Sequence, residues 1–265
     1  MYETDLFAVT EARKIAQTKG KYSVIEYEKD ISVTPESAAA SYFASQMNVR
    51  KRQVAAKLTP TEGTVVQSGA MQLMIGKLQA ATNVKGVGDL MKKFVGSKVT
   101  GETTIKPHYI GDGILLLEPT YKYIILEDLS SWHGDMVIED GMFLACDDSV
   151  NLKVTARKTL SSAVLGNEGL FNTSLSGSGV VVLESPVPRE ELIEVNLDND
   201  VLKIDGDMAV AWSNTLEFTV ERTTSTLIGS AASGEGLVNV YRGTGKVLIA
   251  PVANNYRIPV PARTK

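Results

Sequence analysis

The chain holds one cysteine, Cys146, and two histidines, His108 and His133, among 265 residues. A lone thiol forms no internal disulfide, and so few soft ligands rule out the usual zinc constellations. No apolar run reaches the roughly 20 residues that a membrane-spanning helix needs. Excess positive charge is missing as well: 27 Lys and Arg stand against 31 Asp and Glu, a net charge of −4. That balance removes the broad field on which nonspecific nucleic-acid binding relies, so DNA is not an expected partner. The first twenty residues carry no apolar signal core and are too acidic for a transit peptide, which makes a reducing, cytoplasmic setting the expectation.

Catalytic patterns are equally sparse. No Gly-x-Ser-x-Gly elbow occurs. Gly86-Val87-Gly88 and the other Gly-x-Gly pairs lack the third glycine and the following helix of a dinucleotide-binding turn. Cys146 is followed by Asp147-Asp148, whose charge disfavours a thiolate. The expectation is a non-enzyme with no cofactor and no metal. Hydrophobic residues at 43% and charged ones at 22% still give an ordinary globular composition with enough material for a core.

What the chain does have is glycine, 22 against 9 prolines. Three segments share a pattern, each 66 residues after the last: Gly111-Asp112-Gly113 before Ile114-Leu115, Gly177-Ser178-Gly179 before Val180-Val181, and Gly243-Thr244-Gly245 before Lys246-Val247. Glycine at the opening of a strand marks a bulge or a close backbone approach. A second set, Gly69, Gly141 and Gly206, separates pairs of apolar stretches. Val150, Leu152 and Val154 recur as Leu216, Phe218 and Val220, alternating with polar residues in the period-two manner of half-buried strands.

The pattern predicts a mainly all-β protein of three related β-sandwich-like repeats. Residues 1–50 form an N-terminal segment, 51–252 the β domain and 253–265 a basic extended tail. Repeat one is split between 51–100 and 234–252, repeat two spans 101–165 and repeat three 166–233. The strand after Gly245 is expected to close against residues 52–74, hiding sheet edges. Thr34-Pro35-Glu36-Ser37 announces a helix at about 35–49, with a capping hydroxyl and proline in the first turn, and residues 88–95 read as a second short helix.

Five residues stand out on the surface side of this reading. Arg50, Lys51 and Arg52 follow the first helix, where they serve either as an anionic-ligand patch or as basic groups favoured at a helix C-terminus. Trp132 and His133 form a loop that is either a binding corner or an indole folded over a neighbouring strand. Glu102, Glu168 and Glu235 recur once per repeat, as a ring of cation ligands or as turn residues.

Ser68-Gly69-Ala70-Met71, residues 89–95 leading into Gly101-Glu102, and Gly234-Glu235-Gly236-Leu237 followed by Gly243-Thr244-Gly245 resemble the altered-inheritance-of-mitochondria (AIM) family over about residues 50–252. The resemblance implies a fold like that of the trp RNA-binding attenuation protein. Mitochondrial members are tied to inner-membrane organisation, and bacterial members have no established activity; this chain departs from the pattern in its helix near 35–49. The leading expectation is a noncatalytic scaffold or binding module, homo-oligomeric, with an unknown protein partner. RNA or another anion at the Arg50–Arg52 patch is the second reading, against which the acidic balance weighs, and a small ligand in a β cavity or an unrecognised enzyme is the third.

Overall fold

The computed structural model describes residues 2–81, 106–132, 135–156, 171–206, 208–222 and 237–252. The helix expected at 88–95, His133, Glu102, Glu168, Glu235 and the tail at 253–265 lie outside them. Within them the all-β expectation is borne out. Among the described residues sixteen strands form two antiparallel sheets, and one α-helix lies between the second and third strands in sequence.

The strand pairing follows one scheme three times. In the middle of the chain, β7 (Tyr123–Asp128) and β9 (Phe143–Asp147) flank β12 (Val180–Ser185), while β8 (Asp135–Ile138) and β10 (Val150–Ala156) flank β11 (Phe171–Gly177). Further on, β13 (Ile193–Asp205) takes the places of β7 and β8, and β16 (Leu237–Ile249) those of β11 and β12. There β14 (Ala209–Ser213) and β15 (Glu217–Arg222) are the other neighbours. At the start, β3 (Lys51–Leu58), β4 (Thr64–Val66) and β5 (Met71–Ala81) all pair with β6 (His108–Leu117). Thr64 opposite Tyr109, Met136 opposite Leu175 and Leu202 opposite Tyr241 are corresponding pairs. So are Met71 with Leu117, Phe143 with Leu183 and Ala209 with Ile249, each followed by a register shift.

The glycine pairs sit where the long central strand changes partners. Gly111, Gly177 and Gly243 have φ of +130°, +104° and +118°, and a Cβ on Gly245 would lie 2.8 Å from that of Ser213. The first glycine supplies the left-handed backbone and the second the room for a close approach, and opposite Gly243 and Gly245 the ladder also shifts register, between Leu197 and Asp200.

Adjacent units are stitched by strands: β4 pairs with β9, and β8 with β14. Side chains from both sheets fill the space between them, with Trp132, Met136, Ile138, Leu175 and Ala211 in one core cluster. A second cluster closes around Trp212, whose ring lies 5.4 Å from Tyr241 and 5.8 Å from Phe218.

The C-terminal closure is corrected. β16 pairs with β13, β14 and β15, while β3 and β5 pair with β6. The reason is the length of β13: at 13 residues it offers a backbone partner to both halves of β16, so the last unit is complete within itself. Its first strand, not a glycine landmark, begins each unit.

Two N-terminal strands extend the scheme. β1 (Arg13–Lys19) and β2 (Tyr22–Tyr27) form a hairpin around Gly20, at φ +55°, and β2 adds to the edge of β3. The expected helix is α1 (Pro35–Gln46), with proline at its start. The Thr34 hydroxyl makes no side-chain cap to a backbone N–H and instead meets the Ser37 hydroxyl at 3.2 Å.

Candidate functional site

The three consecutive basic residues are held at the junction of α1 with β2 and β3. Arg52 is 4% exposed. Its Nε donates to Glu26 Oε2 at 2.9 Å, its Nη2 to the Asn48 carbonyl at 3.1 Å, and its plane lies 4.6 Å from the Tyr123 ring centre. Arg50 donates to Glu26 Oε1 at 2.7 Å and to the Ser45 carbonyl at 3.0 Å, and Lys51 pairs with Asp30 at 3.2 Å. Burial pushes the Glu26 carboxyl up, but the hydrogen bond from Arg50 and the charge of Arg52 outweigh it and hold it below the usual carboxylate range. The cationic groups thus close the end of α1 and are matched by Glu26, Glu28 and Asp30. A phosphate would have to displace these carboxylates to use them, so the triplet is a clamp with little open positive surface.

Trp132 is buried in a short 3-10 turn at Leu129–Trp132. Its indole N–H donates to Glu127 Oε2 at 3.1 Å, and Arg189 Nε donates to the other Glu127 oxygen at 3.2 Å. The Lys246 ammonium stands 4.1 Å from the indole centre, a cation–π contact that draws β16 over the turn.

The most concentrated polar chemistry lies where sequence reasoning placed none, at the β4–β9 joint. The Thr64 hydroxyl donates to the Cys146 carbonyl at 2.9 Å, which leaves its lone pairs to accept from the buried Tyr22 hydroxyl at 2.7 Å. Beside them Asp147 Oδ2 accepts from the Val180 N–H at 2.8 Å. Its Oδ1 is met by the Lys21 ammonium at 3.2 Å, an ion pair outside hydrogen-bonding geometry. Asp148 accepts from the Gly63 N–H at 2.9 Å, with His108 Nε2 at 3.4 Å. Burial, then the Asp147 charge, push the Cys146 thiol up to about 12, and the same two causes raise the Tyr22 phenol. At neutral pH both groups keep their protons, so the cluster offers neither a thiolate nor a phenolate nucleophile. The adjacent acids after Cys146 were its one visible signal; Tyr22, Thr64 and Lys21 come from distant segments.

Residues 45–252 match the family described as Mitochondrial biogenesis AIM24. The chain belongs to the AIM24 family. An uncharacterised protein of Streptococcus pyogenes serotype M6 is 30% identical over 192 residues, covering 69% of this chain and 75% of that protein. A crystal structure of a Streptococcus pyogenes protein superposes with a TM-score of 0.58 at 26% identity, covering 79% of this chain and 91% of that chain.

Of what precedes the AIM24 segment, β1 and β2 extend the sheet beyond β3, and the first residues reach β6. Tyr2, Glu3, Thr4 and Phe7 join Lys57, Asp112 and Ile114 around an open cleft of about 700 Å³. The Lys57 ammonium covers the Phe7 ring at 4.3 Å. On α1 no residue is buried, and Tyr42 and Phe43, with Met47 just past its end, are exposed. No helix is long and apolar enough to cross a membrane, and no group of three or more acidic, His or Cys side chains is placed to hold a metal ion, both among the described residues.

Proposed function

We propose that this AIM24 chain is a noncatalytic β-repeat scaffold or binding module, with three related units like those of the trp RNA-binding attenuation protein in one chain, that works as a homo-oligomer. One observation carries the reading: a strand of one unit pairs with a strand of the next at two places, β4 with β9 and β8 with β14. A chain that uses one joint repeatedly is built for assembly rather than for a single reaction centre. The state of its chemically suggestive side chains supports this. Arg50, Arg52, Trp132, Asp147 and Cys146 are engaged in internal contacts or buried, as structural groups are. A cytoplasmic setting belongs to the same reading, since one buried cysteine calls for no oxidising compartment.

Intact-mass measurement of the full chain under native conditions, over a concentration series from about 1 to 100 μM, tests the reading. The expected result is a defined multiple of 28.6 kDa. A monomer across the whole series would overturn the homo-oligomer, and hydrolytic or redox turnover in a substrate panel would overturn the noncatalytic part.

A further inference from the structure

Two strand edges in the described residues correspond to the halves of a joint that the chain already makes twice. At the first joint Val66 faces Ala145, Val65 faces Cys146 and Thr64 faces Asp147. At the second, Ile138 faces Ala211, Val137 faces Trp212 and Met136 faces Ser213. The corresponding ladders fix the equivalents in the remaining edges. Leu202, paired with Tyr241, stands where Thr64 and Met136 stand; Leu73, just past the shared register shift, stands where Ala145 and Ala211 stand. Yet β13 pairs only with β16, and β5 only with β6, among the described residues.

Exposure separates the used edges from the unused β5 edge. Ala145, Cys146 and Ala211 are 0% exposed and Trp212 2%. Leu73 is 38% and Met74 42% exposed; on β13, Val201 is 45% exposed and Ile204 6%. Residues 71–76 carry no charge, and a long apolar edge of that kind pairs with another strand unless something blocks it. The two edges are different surfaces with complementary roles, so their meeting between molecules is head to tail.

We infer that copies of this chain join by antiparallel pairing of the β13 edge of one copy with the β5 edge of the next. In this register Ile204 lies opposite Leu73, Lys203 opposite Met74 and Leu202 opposite Ile75 of the second copy. The occupant is a second copy because the chain's own two joints set the strand direction, the register and the bulge that the contact repeats. β-Strand addition supplies backbone hydrogen bonds, and Leu73 and Met74 become covered. The contact completes, between copies, the six-stranded arrangement of three strands from each side that β10-β11-β8 and β14-β16-β13 form within one. A head-to-tail contact closes into a ring or runs on as a filament, according to the rotation at each step. This inference rests on the homo-oligomer reading and names its surface.

Disulfide trapping with the full chain tests it. The single variants Met74→Cys and Lys203→Cys are purified separately, mixed and mildly oxidised. Directly opposed strand positions lie within disulfide reach, so the mixture gives a covalent heterodimer and neither variant alone gives a dimer. The double variant gives a ladder of covalent multimers. A double variant that forms only an internal cross-link, or a single variant that dimerises with itself, would overturn the inference. Leu73→Lys, with its fold checked by circular dichroism, is expected to weaken self-association at least tenfold. Wild-type oligomers with no cross-link and no response to Leu73→Lys would overturn this surface while leaving the homo-oligomer intact; a wild-type monomer would remove both.

Discussion

Where β8 meets β14, Met136, Val137 and Ile138 stand opposite Ser213, Trp212 and Ala211, and the indole of Trp212 packs against Phe218 and Tyr241. Where β4 meets β9, the same ladder carries Thr64, Val65 and Val66 opposite Asp147, Cys146 and Ala145, with Tyr22 and Lys21 brought in from the N-terminal hairpin. The backbone pairing is shared and the side-chain chemistry is not. One joint is held by apolar area, which is tolerant of small shifts; the other is held by directed polar contacts, each of which leaves a buried partner stranded if removed. Equivalent joints in one chain can therefore fail in different ways.

The apolar joint should show the larger single loss. Trp212→Ala empties a fully buried aromatic position, and about 3–5 kcal/mol of unfolding free energy should disappear in a denaturant titration. A loss under about 1 kcal/mol would mean that Phe218 and Tyr241 do not depend on the indole. On the polar side, Asp147→Ala leaves the Val180 N–H and the Lys21 ammonium without their acceptor, and about 1.5–3 kcal/mol should be lost, as for hydrogen bonds to charged groups. Thr64→Val keeps the shape but strands the Tyr22 hydroxyl, for about 1–3 kcal/mol. Equal losses for Thr64→Val and Trp212→Ala would remove the contrast between the joints.

Two smaller effects sharpen it. Cys146 lies in the polar joint, and its raised thiol reacts with iodoacetamide at pH 8 only when the joint opens. Thr64→Val should accelerate that alkylation more than Trp212→Ala does at matched global stability. The hairpin that delivers Tyr22 and Lys21 is itself clamped by Glu26. Because the folded Glu26 carboxyl sits below its ordinary value, its contribution is complete above about pH 4.5 and is lost as pH falls through the depressed value. Glu26→Gln should flatten the acid limb of the stability curve; an unchanged limb would place the acid sensitivity elsewhere.

Much of the scheme was legible because it rests on backbone needs that few residues satisfy. The 66-residue recurrence of Gly111, Gly177 and Gly243 marked the left-handed positions, and Gly69, Gly141 and Gly206 marked turns with φ of +77°, +74° and +65°. Proline at the start of α1 fixed its beginning within the first turn. The β1–β2 hairpin was not legible: Arg13–Lys19 is polar at five of seven positions, and its strand state comes from pairing with β2. The ion pairs of the basic triplet were not legible because its carboxylate partners, Glu26 and Asp30, lie more than twenty residues earlier and meet it only across the sheet.

Local conformational demands and periodicity are properties of short segments, and the sequence alone therefore determined the all-β class, the glycine positions, the helix and the absence of catalytic motifs. Partner choice is a property of distance in space. Only the tertiary structure decided that β16 completes its own unit, that Arg52 is buried against Glu26, that Tyr22 and Lys21 serve the β4–β9 joint, and that the edges of β5 and β13 carry no strand among the described residues. Contacts between residues dozens of positions apart depend on which edges the connecting turns bring together, and no short segment carries that information.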